Sequence, residues 1–153
     1  MGSEELIGAF GRAMQEYQRA VDALDQRAAD RLGINRTDMR CLELLFSDDA
    51  EKSPGELAAA AGMTTGGVTT AIDRLERAGY VTRERDATDR RRVTVRPTPR
   101  AERAVFEIYG PVVEQGRTIL ARFDDTVLAG MIEVLEQATR QHNEHAEALG
   151  HVT

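Results

Sequence analysis

The sequence predicts a mainly α-helical fold carrying one small β-hairpin. Three observations lead there: apolar residues recur at spacings of three and four over long stretches at both ends of the chain, two short helical segments meet at Gly62, and only the stretch from Tyr80 to Arg96 alternates in strand fashion. At 153 residues the chain is one domain's worth, enough to bury its own core and too short for a separate catalytic domain. With 41% hydrophobic and 30% charged residues it has the composition of a globular protein rather than a disordered one. No apolar run approaches the roughly 18 residues of a membrane span. The first residues carry Glu4 and Glu5 where a secretory signal would be basic, so a cytoplasmic location is expected.

From about Glu4 to Leu32 the chain is free of proline, and Phe10, Met14, Tyr17, Val21, Leu24 and Ala28 form a heptad stripe. Such a stripe suits packing against another long helix, although an ordinary amphipathic helix would show the same residues. Gly33 ends this helix, and a second is expected from Asp38 to about Phe46. Ser53-Pro54-Gly55-Glu56 combines a capping serine, a proline at the first helical position and a glutamate three residues after the cap. The short helix it opens stops at Gly62, and another runs from Thr64 to about Ala78. Two helices joined so tightly make a helix-turn-helix, with Ala58 small at the crossing and Val68 between the helices.

On the second of these helices Val68, Ala71, Ile72 and Leu75 form the apolar stripe, which leaves Gly66, Gly67, Thr70, Asp73, Arg74 and Arg77 opposite it and Thr69 at the edge. Thr64 and Thr65 stand at its start. Small and polar first, basic later, this face suits a helix entering a major groove by its N-terminal turns, and Arg74 is the expected base reader. A solvated face with an Asp73 to Arg77 pair is the plainer alternative. Strands at Tyr80–Arg85 and Arg92–Arg96 then flank a charged tip containing Asp89, Arg90 and Arg91. A helix follows from Thr98-Pro99 to about Phe123, with a kink or break expected at Gly110-Pro111. The last helix starts near Asp124-Asp125 and carries a third stripe through Leu128, Met131, Leu135, Ala138, His142, His145 and Leu149.

The formal charge of −6 hides an uneven distribution. Between Gly62 and Arg100 nine arginines face five acids, whereas the rest of the chain is strongly acidic. Lys52 is the sole lysine, so the basic face is built of arginine, whose planar fork suits phosphates and base edges.

Leu57-Ala58, Gly62-Met63-Thr64, Val68-Thr69 and the run from Asp73 through Arg77 to Gly79-Tyr80-Val81, followed by Arg83 to Arg91 with its Asp-x-Arg at Asp89 and Arg91, together resemble the MarR family of bacterial transcription regulators. The segment Pro97-Thr98-Pro99-Arg100-Ala101 departs from the family's Leu-Thr-x-x-Gly after the wing. The resemblance implies a winged helix-turn-helix, with residues 1–34 and 100–153 as long N- and C-terminal dimerisation helices around a DNA-binding lobe at 35–99. It further implies a homodimer and a ligand-responsive repressor on a near-palindromic operator in double-stranded DNA. Arg91, oriented by Asp89, would reach the minor groove while Arg90 and Arg92 contact phosphates. A small aromatic or phenolic effector is implied too, in a pocket for which Tyr17, Met39, Arg40 and Tyr109 are candidates. Arg40 would offer a partner to a carboxylate if it faced that pocket.

Cys41 lies among apolar residues with no second cysteine, which favours a structural thiol over a redox sensor. His142 and His145 fall short of a metal site by themselves. No phosphate-binding loop or nucleophile motif supports an enzyme, and no cofactor is expected. A protein-binding winged helix without DNA is the remaining alternative, against which the arginine-rich hairpin argues.

Overall fold

The computed structural model describes residues 2–46, 51–85 and 93–150. In chain order these form α1 (Ser3–Leu32), α2 (Arg36–Phe46), α3 (Pro54–Ala61), α4 (Thr65–Arg77), β1 (Val81–Arg85), β2 (Val93–Pro97), α5 (Pro99–Leu120) and α6 (Asp125–Gly150). The mainly α fold with a hairpin is as the sequence predicts.

Local chemistry sets the boundaries. Ser53 and Glu56 close a reciprocal cap at the start of α3, the Glu56 amide donating to Ser53 Oγ at 3.2 Å and the Ser53 amide to Glu56 Oε2 at 2.7 Å. Gly62 ends α3 in the left-handed conformation, φ +64°, and a Cβ built there would meet nothing within 4 Å. Substitution therefore adds backbone strain without a clash: Gly62→Ala is expected to lower unfolding free energy by about 1–2 kcal/mol, read from a urea midpoint. An unchanged midpoint would show that the turn relaxes freely.

The chain divides into two compact units, Met1–Ile108 and Tyr109–Thr153. In the first, α2, α3, α4 and the hairpin enclose a core that includes Leu42, Leu45, Leu57, Val68, Ile72, Leu75, Val81 and Val95. The strands pair antiparallel with Arg83 opposite Val95, and Lys52 adds a single bridge to Val95 from beyond the pair. The departure at Pro97 and Ala101 leaves the threonine between them, Thr98, in place. Thr98 Oγ1 donates to the Gly79 carbonyl at 2.8 Å and accepts from the Ala101 amide at 3.2 Å, so one hydroxyl both anchors the chain leaving the hairpin and caps α5.

Of the kink or break expected at Gly110-Pro111, the break is absent: α5 continues through Pro111 and ends at Leu120. A proline removes one amide rung and crowds the carbonyl four residues back, yet it does not end a helix whose other rungs are kept. In the second unit, Asp124 Oδ1 accepts from the Val127 amide at 3.0 Å to start α6. No α6 residue from Asp125 to Leu149 is buried. Among the described residues, every exposed large apolar side chain except Phe46 lies on α1, α5 or α6 or at Phe123 between the last two.

Candidate nucleic-acid interface

α4 is held by its buried stripe, Val68, Ala71, Ile72 and Leu75, and so presents the opposite face outward. Thr64 caps it, accepting from the Gly67 amide at 3.2 Å. Thr64, Thr65, Gly66, Thr69 and Thr70 are all exposed. Gly67 is half-buried, where a Cβ would stand 3.3 Å from Thr64 Oγ1 and 3.4 Å from Met63 Cε. A Cβ at Gly66 would meet nothing within 4 Å, so the helix can approach another surface closely there. Of the two arginines expected on this face, Arg77 is exposed without a partner among the described residues.

Arg74 is engaged elsewhere. Its Nε lies 3.0 Å from both Asp38 carboxylate oxygens and one terminal nitrogen lies 2.6 Å from Oδ1. The Asp38 side chain is 2% exposed and the Arg74 side chain 34%. Hydrogen bonding to Asp38 raises the Arg74 pKa further above its already high ordinary value. The guanidinium expected to read a base edge thus spends its planar fork on a buried carboxylate of α2. Asp38 itself escaped the sequence reading as a site, yet it had a signal: with Leu42 and Leu45 it falls at helical spacing on the buried stripe of α2, and an acid on such a stripe requires a cation.

Asp73 likewise pairs with Arg83 of β1 rather than with Arg77, and Glu76 binds the same guanidinium. Burial lowers the Arg83 pKa, but the hydrogen bonds it donates to Asp73 and Glu76 outweigh it, so the net shift is upward. Arg83 was another residue missed; it shares a strand face with the buried Val81, and that inward phase was the clue. Asp89, Arg90, Arg91 and Arg92 lie outside the described residues.

The pocket candidates separate. Met39 and Arg40 line a cleft of about 490 Å³ together with Val21, Asp22 and Asp25 of α1, Arg36, Thr37 and Glu43 of α2, and Met63. Tyr17 is on α1 outside this lining, 66% exposed, and Tyr109 belongs to the second unit. Three carboxylates face two guanidiniums. Arg36 is held by the Asp22 carboxylate at 2.8 Å and by the Asp22 carbonyl, and that contact raises its pKa. Arg40 Nε donates to the Ala61 carbonyl at 3.3 Å. Cys41, beside this cleft in sequence, is fully buried; desolvation first and Asp38 second push its thiol pKa up, away from the reactive thiolate that oxidant sensing needs. Among the described residues no three histidines, cysteines or acids stand close enough to hold a metal ion, and no helix is long and apolar enough to cross a membrane.

Known proteins share the sequence pattern and the fold. Residues 32–92 match the model of the MarR family. An HTH-type transcriptional regulator of Bacillus subtilis, YcgE, is 32% identical over 124 residues, 81% of this chain and 80% of the relative. Among solved structures, a MarR family protein from Bacillus stearothermophilus superposes with a TM-score of 0.66 at 18% identity, covering 94% of this chain and 99% of its own. The structure of NadR in complex with 4-hydroxyphenylacetate gives 0.63 at 22% identity, covering 84% and 91%.

Proposed function

This chain belongs to the MarR family of DNA-binding transcriptional regulators, and on that premise we propose that it is a homodimeric, ligand-responsive repressor that reads a near-palindromic operator with α4. The observation that carries the reading is the outer face of α4. Its first two turns hold threonines and glycines, open to the surroundings, on a helix anchored from behind by the core. Thr64, Thr65, Gly66, Gly67, Thr69 and Thr70 enter the major groove, Arg77 meets the phosphate backbone, and Asp89, Arg90, Arg91 and Arg92 serve the flanking groove and phosphates. Residues 35–99 act as the DNA-binding lobe, with 1–34 and 100–153 supplying dimer contacts. Uncovered apolar side chains on α1, α5 and α6 support a second copy of this chain as their cover.

Selection of duplexes from a random pool tests the reading. A recovered sequence with two related half-sites, bound at least a hundredfold more tightly than unrelated DNA, is the expected result. Equal binding of selected and random duplexes would leave only a non-specific binder.

The effector is a small phenol, and the charge of the cleft indicates which kind. A carboxylate entering it would meet Asp22, Asp25 and Glu43 against only Arg40 and an Arg36 already paired with Asp22, whereas a neutral phenol can donate its hydroxyl proton to a carboxylate. The 4-hydroxyphenylacetate bound in NadR supports the phenolic class, although it carries both groups. In titrations, 4-methylphenol is expected to bind the free protein more tightly than 4-hydroxyphenylacetate and to weaken operator binding. By linkage, a hundredfold loss of operator affinity requires the DNA complex to bind the phenol a hundredfold more weakly. The opposite preference would return Arg40 to the role of anion partner.

A further inference from the structure

We propose that α4 reads thymine methyl groups through the γ-methyls of Thr69 and Thr70, so that A·T pairs lie beneath the second turn of this helix in each half-site. The inference rests on the placement of α4 in a major groove argued above. It starts from where the hydroxyls point. Thr69 Oγ1 donates to the Thr65 carbonyl at 2.8 Å, and Thr70 Oγ1 donates to the Gly66 carbonyl at 3.0 Å. Each hydroxyl proton is therefore used within the helix, and the staggered rotamer that turns Oγ1 back onto the preceding turn leaves the γ-methyl as the outward group. Both residues are exposed.

The longer polar side chains nearby offer no substitute. Arg74 is bound by Asp38, and Asp73 by Arg83. Arg77 lies seven residues beyond Thr70, about 10 Å further along the helix axis. Over the first two turns the described surface thus lacks the free guanidinium that reads guanine in a bidentate manner, and it contains no Asn or Gln side chain of the kind that reads adenine. Gly66, with open space where a side chain would stand, lets this turn come close to the base edges. In the major groove the thymine C5-methyl is the apolar group that a threonine methyl can cover.

The test uses the full chain and a duplex recovered by selection. Replacing single thymines by deoxyuridine removes the methyl, preserves base pairing and leaves the protein unaltered, so no folding defect can intervene. Loss of about fourfold in affinity per critical methyl is expected, the size of one buried methyl group. Thr69→Ser and Thr70→Ser should show a matching loss on the thymine duplex and no additional loss on the deoxyuridine duplex. Thr69→Val and Thr70→Val should lose less than the serine variants. Indifference to deoxyuridine at every position, or valine variants that lose more than serine variants, would overturn methyl reading while leaving α4 as a specific reader. Absence of any preferred duplex would overturn both this inference and the functional reading beneath it.

Discussion

A chain bearing Met131→Glu and Leu135→Glu together is expected to scatter light as a monomer near 16.9 kDa and to lose about two to four orders of magnitude of operator affinity. Met131 and Leu135 are 39% and 49% exposed on a helix that buries none of its described side chains. An apolar face of this extent finds its cover in association, and two carboxylates there would have to be desolvated for a dimer to form. On the proposed homodimer reading, separated protomers would hold one half-site each, so the gain from tethering two binding events would disappear. The core of the first unit is untouched, and its melting transition should persist. A variant that remains dimeric would remove α6 from the interface; a monomer with unchanged operator affinity would remove the need for a dimer in recognition.

Arg74→Ala is expected to act on stability before it acts on DNA. It leaves the Asp38 carboxylate, 2% exposed, without its guanidinium, and removing one partner of such a pair costs about 3 kcal/mol. In a chain of this length that lowers the melting temperature by roughly 6–12 °C. Arg74→Lys should recover part of the loss, since one ammonium cannot reproduce the two-nitrogen contact. The double change Asp38→Leu with Arg74→Met should melt close to the parent, because an apolar pair of similar volume avoids the desolvation of both charges. An Arg74→Ala protein with parental melting temperature and altered sequence preference would instead make this arginine a base reader.

These two expectations differ in how far the sequence alone could anticipate them. The helix-turn-helix was legible because its signals are local: Ser53 to Glu56 holds a complete cap, and Gly62 takes the left-handed conformation that a tight turn requires. The hairpin was legible from its alternation, and the outer face of α4 from the stripe behind it. Side-chain pairing was not. Asp38 and Arg74 are 36 residues apart, and nothing in the helical period of α4 shows that a carboxylate from α2 has taken the arginine. The Asp73 to Arg77 alternative failed for a related reason, since a strand seven to ten residues away supplied a better placed cation than the helix's own next turn. At Pro111 the missing amide does not end the helix, because the other rungs of a 22-residue segment hold it, and that length is not a property of the Gly110-Pro111 pair. Among the pocket candidates, Met39 and Arg40 line the cleft, but its acidic balance comes from Asp22, Asp25 and Glu43, none of them anticipated as lining.

The grip of Asp73 and Glu76 on Arg83 also governs which cations the approach of a duplex can set free. Condensed counterions leave DNA when protein charges take their place, and a guanidinium already neutralised by its own protein's carboxylates displaces few. Arg83 is occupied in this way, as are Arg74 by Asp38 and Arg96 by Glu51 and Glu84. The nine arginines between Gly62 and Arg100 therefore overstate the polyelectrolyte character of this surface. Its attachment to DNA should tolerate added salt better than their number implies, with a larger share of the binding free energy residing in contacts that ions do not screen.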